Sequence, residues 1–463
     1  MNKKTAGLSL AVIILIITAF TSPPAQWGLT EMGYNTLGIL AAGLILWILE
    51  VMPLGVTALL VMILQPVYGV AGLGEAFDNF ASSVVFFVLA SFAISLAIVK
   101  TYLAQRLIKR LLLFAGNDTN KVIISFMVGT AVLSAFMSNV PVTALFMGLA
   151  LGILAKIEVD NQRLKFGKVI MISIPFAGMI GGMMTPAGSS INVLTLEYIT
   201  GAGYQVSFLE WMVYGVPITL LVLPFCWYVL IKLFKPENLD QSVINSFLDS
   251  DEIPQKMDKQ EKKVLFIVGT VIVLWILGSW FPILDLTIVA LAGMICFFLP
   301  GINALEWDEF ATEASWNAVI MIGGVISIGE AAQKNELADW FLNLFVDSLV
   351  ALPLFLLLIV LGIFLVVIKL PIPIGPAIVA ISAPPLIGLA ELMGIPVVVL
   401  LVPLAFLSGA CLLVPLDAVP LITFSQRYYG MGDMFVSGAI TSLVWVLIAA
   451  VWVPLAARIL GVL

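Results

Sequence analysis

The feature that most constrains this chain is the recurrence of apolar runs long enough to cross a bilayer. A hydrocarbon core of roughly 30 Å takes about 20 helical residues. Runs of this kind follow one another at residues 8–19 with their neighbours, 37–62, 84–99, 122–154, 169–184 and 212–233. They continue at 264–280, 286–299, 354–368, 374–389, 397–414 and 435–460. Peptide groups in lipid must bond internally, so such runs read as helices, and the short alternating strands of a barrel are missing. Only 11% of the residues are charged, against about 25% in soluble domains. The expected fold class is an all-α, multi-pass membrane protein.

The polar residues narrow the chemistry. With no histidine among 463 residues, histidine metal sites and Ser-His-Asp triads are excluded. Cys226, Cys296 and Cys411 stand in apolar sequence without metal-like spacing. There is no Gly-rich phosphate loop and no basic nucleic-acid patch, so neither ATP drive by this chain alone nor a nucleic-acid partner is expected. Asn2, Lys3 and Lys4 precede the first run, which is read as a retained helix rather than a cleaved signal, because no small-x-small site follows. Those lysines place the N-terminus in the cytoplasm of a cell whose plasma membrane holds the chain. The clusters Arg106, Lys109, Arg110 and Lys156, Arg163, Lys165, Lys168 fall on the same side. Trp27, Trp211, Trp280, Trp307, Trp316 and Trp340 mostly flank spans and suit interfacial belts, as do Arg427, Tyr428 and Tyr429.

An internal repeat orders the rest. Asp78-Asn79-Phe80-Ala81 is answered by Asp308-Glu309-Phe310-Ala311, and Ser138-Asn139-Val140-Pro141 by Leu370-Pro371-Ile372-Pro373. Thr185-Pro186-Ala187-Gly188 is answered by Val414-Pro415-Leu416-Asp417, and Glu210-Trp211-Met212-Val213 by Asp433-Met434-Phe435-Val436. Four matches in one order at an offset of about 230 residues read as a duplication. The expected organisation is a first repeat over 1–234, a polar cytoplasmic linker over 235–263 (with Asp249, Asp251 and Glu252) and a second repeat over 264–463. About eleven crossings plus two re-entrant hairpins are expected, and an odd number of crossings in each half makes the repeats inverted, with a site at their midplane interface.

Carriers of this design bind where helices break. The breaks fall at 137–143, 181–192, 369–376 and 415–420. Ser134 and Ser138, four apart, are expected on one helix face beside Asn139, and Gly188 offers a carbonyl to the same point. Neutral oxygens of this kind suit Na⁺; hydroxyls and amide N–H groups suit a carboxylate. Small polar residues that merely pack helices are the competing reading. Glu330 and Glu391 read as exposed helix ends, and Glu50 as a support for the break at Met52-Pro53.

These motifs, with Glu50-Val51-Met52-Pro53-Leu54-Gly55-Val56-Thr57, resemble the divalent-anion/sodium symporters, carriers of di- and tricarboxylates or sulfate. The resemblance implies a homodimer that moves a transport domain as an elevator, with a small anionic substrate, Na⁺ and no organic cofactor. Carried over residue by residue, it places Na⁺ at Ser134, Ser138, Asn139 and Gly188. Substrate falls to Ser138, Asn139, Val140, Ser189, Ser190 and Asn192, Val140 standing where the family has threonine. The second repeat departs: Leu370-Pro371-Ile372 stand where Ser-Asn-Thr is expected, and Ala418-Val419-Pro420-Leu421 where Thr-Pro-Pro-Asn is.

Two charges stand beside these losses. Lys369 is expected to fill the place of a second cation, with Asp417 as its partner or as a proton carrier and Ala418 beside them at the substrate. An ionisable group at the bilayer centre costs roughly 2.5–3.5 kcal/mol on insertion scales and is usually functional. Lys369 snorkelling to an interface, or a purely structural pair, are the alternatives. Coupling to Na⁺, to protons or to counter-substrate exchange all remain open at this level. So does a cation/proton antiporter or channel with Asp417 as ligand, and, further off, an intramembrane enzyme. Replacing Lys369 with Met is expected to abolish or re-couple transport; unchanged uptake with unchanged cation dependence in proteoliposomes would refute the functional reading.

Overall fold

A computed structural model describes residues 2–116, 118–157, 165–240, 242–243, 245, 254, 256–344 and 349–463. Arg163, Asp249, Asp251 and Glu252 fall outside the described residues, as does the side chain of Asn79. Among the described residues there is no strand.

The first half opens with α1 (Lys3–Phe20), α2 (Glu31–Ile48), α3 (Leu54–Val67) and the short α4 (Leu73–Asp78). It continues through α5 (Ser83–Val99), α6 (Leu103–Ala115), α7 (Thr119–Ser134), α8 (Asn139–Leu154) and α9 (Lys165–Gly181). It closes with α10 (Ser190–Gly201) and the long α11 (Phe208–Phe234). The second half runs α12 (Lys259–Leu277), α13 (Leu286–Phe298), α14 (Trp307–Glu313), α15 (Trp316–Lys334) and α16 (Leu337–Asn343). Then follow α17 (Leu354–Ile368), α18 (Gly375–Met393), α19 (Val398–Ser408), α20 (Ala418–Phe424) and α21 (Met431–Ile459).

Read in order, α12 to α21 reproduce α2 to α11, including the short pre-helices α4 and α14 and the breaks after α7, α17, α9 and α19. The packing repeats as well: α3 lies along α15, and its counterpart α13 lies along α5. Helix α1 has no counterpart. It packs on α2, where Gly38 admits Thr18, and leaves Leu8, Ile13, Ile16 and Phe20 exposed. By length and composition six helical stretches among the described residues are able to cross a membrane, α4 and α5 counting as one over Leu73–Val99, or seven if α14 and α15, bent by 63° at their junction, form one span. Helices α3, α7 and α8 are shorter because the runs 37–62 and 122–154 are interrupted, at 49–53 and 135–138.

Local chemistry sets the helix starts. Ser207 and Glu210 form a capping box on α11, and Asp258 and Glu261 form another on α12. The second box starts α12 at Lys259, inside the stretch read as linker. Helix α6 is amphipathic: Ala104, Ile108, Leu112 and Ala115 face the protein, opposite Arg110. Arg106 reaches from it to Glu261, with Nε donating to Oε1 at 2.8 Å and Nη2 to Oε2 at 3.1 Å. Lys168 pairs with Asp433 at 2.8 Å, and Lys100 with Glu309, so further ion pairs join the halves.

Two interfacial expectations are corrected. Trp211 is fully buried, its indole N–H donating to Met183 O at 3.1 Å; an indole proton deep in the bundle is tolerable because a broken helix leaves a carbonyl for it. Tyr429 is buried too, its hydroxyl 3.0 Å from that of Thr423. Glu330 and Glu391 are exposed, as read from the sequence.

The Arg106 guanidinium holds the Glu261 carboxyl below the usual carboxylate range. A depressed native value means stability that is present above the unfolded value of about 4.3 and lost as pH falls through the native one. Glu261→Gln, which keeps an acceptor but loses the charge, is expected to lower stability at pH 7 by about 1 kcal/mol. The wild-type advantage in thermal unfolding should hold above about pH 5 and shrink in more acid buffer.

Candidate functional site

The four breaks meet at one cavity of about 910 Å³. The first half contributes Ser138, Asn139, Val140 and Pro141, then Ala187 to Ile191; the second contributes Leu370, Pro371, Pro373 to Pro376 and Pro415 to Val419. Lys3, Glu50 and Glu313 also line it and are exposed. Glu50 sits in the left-handed region at φ 46°, where the chain turns from α2 into α3.

The first-half break is built by glycines that make room for oxygens. Helix α7 ends at Ser134, and the chain opens until Ser138 starts α8. Ser134 and Ser138 therefore do not share a helix face, contrary to the expectation, because the turn between them is no longer α-helical. Ser138 N donates to Ser95 Oγ at 3.2 Å. A Cβ on Gly178 would stand 3.2 Å from Thr143 Oγ1 and 3.5 Å from Ser134 Oγ, and one on Gly182 only 2.6 Å from Asn139 Oδ1. Gly188 lies against the carbonyls of Ser134 and Gly182, leaving no room for a side chain.

Ser134 Oγ, Asn139 Oδ1 and Thr143 Oγ1 are buried without a hydrogen-bond partner. Buried polar atoms are nearly always paired, so a knot of orphan oxygens around one stretch of α9 fits a guest that accepts lone pairs. The donors are neutral, and among the described residues no group of three or more His, Cys, Asp or Glu could hold a metal ion. That set suits an alkali cation, as at other broken membrane helices. Thr143 escaped the sequence reading, although its four-residue spacing from Asn139 places both on one face of α8.

Asn192 and Ser189 have local partners. Asn192 is fully buried and does not line the cavity; its Nδ2 donates to Gly182 O and Thr185 O, both at 2.8 Å, clasping the second break shut. Ser189 caps α10, accepting from Ile191 N at 3.3 Å, and Ser190 follows at the cavity wall.

In the second half Asp417 takes the role of Ser189. It caps α20 by accepting from Val419 N at 3.2 Å, so the structural counterpart of Asp417 is Ser189 rather than Gly188. Lys369 ends α17, is 2% exposed, and places Nζ 3.7 Å from Asp417 Oδ2. The pair is formed, and the ammonium points inward rather than to an interface. At that distance it is an ion pair without a hydrogen bond, and Nζ has no hydrogen-bond partner. Asp417 lines the cavity with Ala418; Lys369 stands behind them, outside the wall.

A family model described as "Citrate transporter" matches residues 44–383, and that span contains three of the four breaks. The chain belongs to the citrate transporter family. It is a multi-pass membrane transporter, not an enzyme, and the resemblance to divalent-anion/sodium symporters holds. A sodium-dependent dicarboxylate transporter, SdcS, of Staphylococcus saprophyticus is 27% identical over 361 residues, covering 72% of this chain and 68% of its own. SdcS of Staphylococcus aureus strain USA300 gives the same figures. The fold is similar to the YdaH transporter of Alcanivorax borkumensis (TM-score 0.56, 14% identity, 100% of this chain and 98% of the other). It is also similar to MtrF of Neisseria gonorrhoeae (TM-score 0.56, 15% identity, 98% and 94%).

For this member of the citrate transporter family, Na⁺ is expected to raise the thermal midpoint of the purified protein where K⁺ and choline do not. Ser134→Ala, Asn139→Ala and Thr143→Ala should each weaken the apparent Na⁺ affinity by about tenfold, near 1.4 kcal/mol. Equal midpoints in Na⁺ and K⁺ for the wild type would remove the assignment.

Proposed function

We propose that this chain is a secondary active transporter of a small organic carboxylate, coupled to one Na⁺ held by the first-half oxygens, with Lys369 in place of a second cation. The observation that carries this reading is the convergence of all four breaks on one cavity, with orphan oxygens on the first-half side and an ion pair on the second-half side. Helix N-termini at Asn139 and Ser190 border the cavity, and such ends favour an anion. The family description names citrate and the relatives are named for dicarboxylates, which supports the di- and tricarboxylate class as the starting expectation for the substrate.

The two halves, 1–234 and 264–463 around the linker 235–263, are read as inverted repeats. Lys3 at the cavity mouth supports a site open to the cytoplasm, if the early lysines set the orientation. A homodimer, an elevator displacement and residence in the plasma membrane are proposed on the family resemblance. A cation antiporter using Asp417 as its ligand is less well supported, because the carboxylate is committed to the Val419 N–H and to Lys369.

Proteoliposome uptake tests this reading. An inward Na⁺ gradient is expected to concentrate a labelled carboxylate, with no accumulation when choline replaces Na⁺. Asn139→Ala should cut uptake by at least about tenfold. Uptake that ignores Na⁺ but requires a trans-side carboxylate would replace symport by exchange.

A further inference from the structure

We infer that the site takes a monocarboxylate with an apolar body, moved together with one Na⁺ and without net charge. The inference rests on the carrier reading above, and departs from the dicarboxylates for which the relatives are named.

The walls of the cavity are unequal. At the first-half breaks Ser138, Asn139, Ser189 and Ser190 present hydroxyl and amide groups beside the N-termini of α8 and α10. At the second-half breaks the wall is Leu370, Pro371, Ile374, Leu416 and Val419, and the one charged side chain there is Asp417. Glu313, Ser315 and Asn317, the other polar groups of that half in the lining, are exposed. One carboxylate therefore finds donors at the first-half pole. A second carboxylate, turned toward the second-half breaks, would meet the Asp417 carboxylate, because the Lys369 side chain, only 3% exposed, lies behind it. An alkyl body meets aliphatic side chains and proline rings, which it desolvates at no polar cost.

The charge balance points the same way. Lys369 and Asp417 cancel at 3.7 Å, and Lys3, Glu50 and Glu313 in the lining are exposed to water that screens them, so the buried part of the site without cargo is neutral. One Na⁺ and one monoanion add to zero, so the fully loaded site is neutral too. Either ligand alone, or a dianion with one Na⁺, leaves an unbalanced charge in a low-dielectric interior, where such charge is expensive. Neutral empty and neutral loaded forms are the two that cross; singly loaded forms are held back. That rule couples the two ligands and lets the empty carrier return without exchange.

The test uses the purified full-length protein, with butyrate, hexanoate, 6-aminohexanoate and succinate as probes in Na⁺ and in choline. Thermal stabilisation by hexanoate in Na⁺ is expected at concentrations at least tenfold lower than by succinate, and none of the probes should act in choline. Asp417→Asn removes one negative charge and is expected to reverse the order, favouring succinate. Should that variant not fold, wild-type proteoliposomes give a second readout: saturating hexanoate with Na⁺ should evoke no transient current, while uptake proceeds. Succinate acting at lower concentrations than hexanoate, or a current with hexanoate, would overturn the inference and leave the carrier reading standing. So would tighter binding of 6-aminohexanoate than of hexanoate, since its ammonium would then be reading Asp417. Stabilisation by none of the carboxylates in Na⁺ would overturn the carrier reading itself.

Discussion

A peptide group in hydrocarbon has no water to turn to, and this is the constraint from which the rest of the structure follows. Each break in a helix frees carbonyls and N–H groups that another part of the protein must meet. Thr185 Oγ1 donates to Ala135 O, joining one first-half break to the other. Asn192 ties Gly182 O and Thr185 O to α10, and Trp211 takes up Met183 O. Breaks held this way have to lie next to one another. The cavity is the space left when they do, and Asn139 Oδ1 in its lining is one of the oxygens the closing bonds leave over.

The two halves solve this problem with different chemistry. In the first, neutral oxygens of Ser134, Asn139 and Thr143 crowd against Gly178 and Gly182, so any positive charge there has to be supplied from outside. In the second, the positive charge is covalently attached as Lys369, and its countercharge caps the next helix as Asp417. A cation carried on a side chain cannot be exchanged with the bath, so the second half contributes fixed electrostatics where the first offers only neutral oxygens. The shared cap geometry of Ser189 and Asp417 shows how little backbone change this requires: the same β-region residue accepts the same i+2 N–H, once as a hydroxyl and once as a carboxylate.

Much of this could be seen in the residues. Runs of lipid-compatible length mark the helices, and 354–368 coincides with α17 because nothing polar interrupts it before Lys369. The breaks announce themselves through proline, glycine and polar residues inside apolar runs. What failed did so for identifiable reasons. The spacing of Ser134 and Ser138 suggests a shared face only if the helix continues between them, and it does not. Trp211 looks interfacial because most tryptophans near span ends are, whereas its partner carbonyl exists only in the folded break. Thr143 is hidden because a lone hydroxyl in an apolar helix usually bonds its own backbone, and here it does not. The pairing of Lys369 with Asp417 depends on two breaks distant in sequence closing on each other, which periodicity does not report.

The closure between the first-half and second-half breaks is made partly of methionine. Met183 lays its methyl group against Gly409, and Met179 Sδ accepts the N–H of Cys411 at 3.3 Å. Both thioethers are about 1% exposed, so a peroxide in the surrounding water has no path to them while the seam is shut. Oxidation would give Met179 a hard, polar sulfoxide oxygen in place of a soft acceptor, and the seam would have to repack around it. Sulfoxide formation at these two residues, legible by mass spectrometry, would therefore report any opening of this seam, with or without cargo.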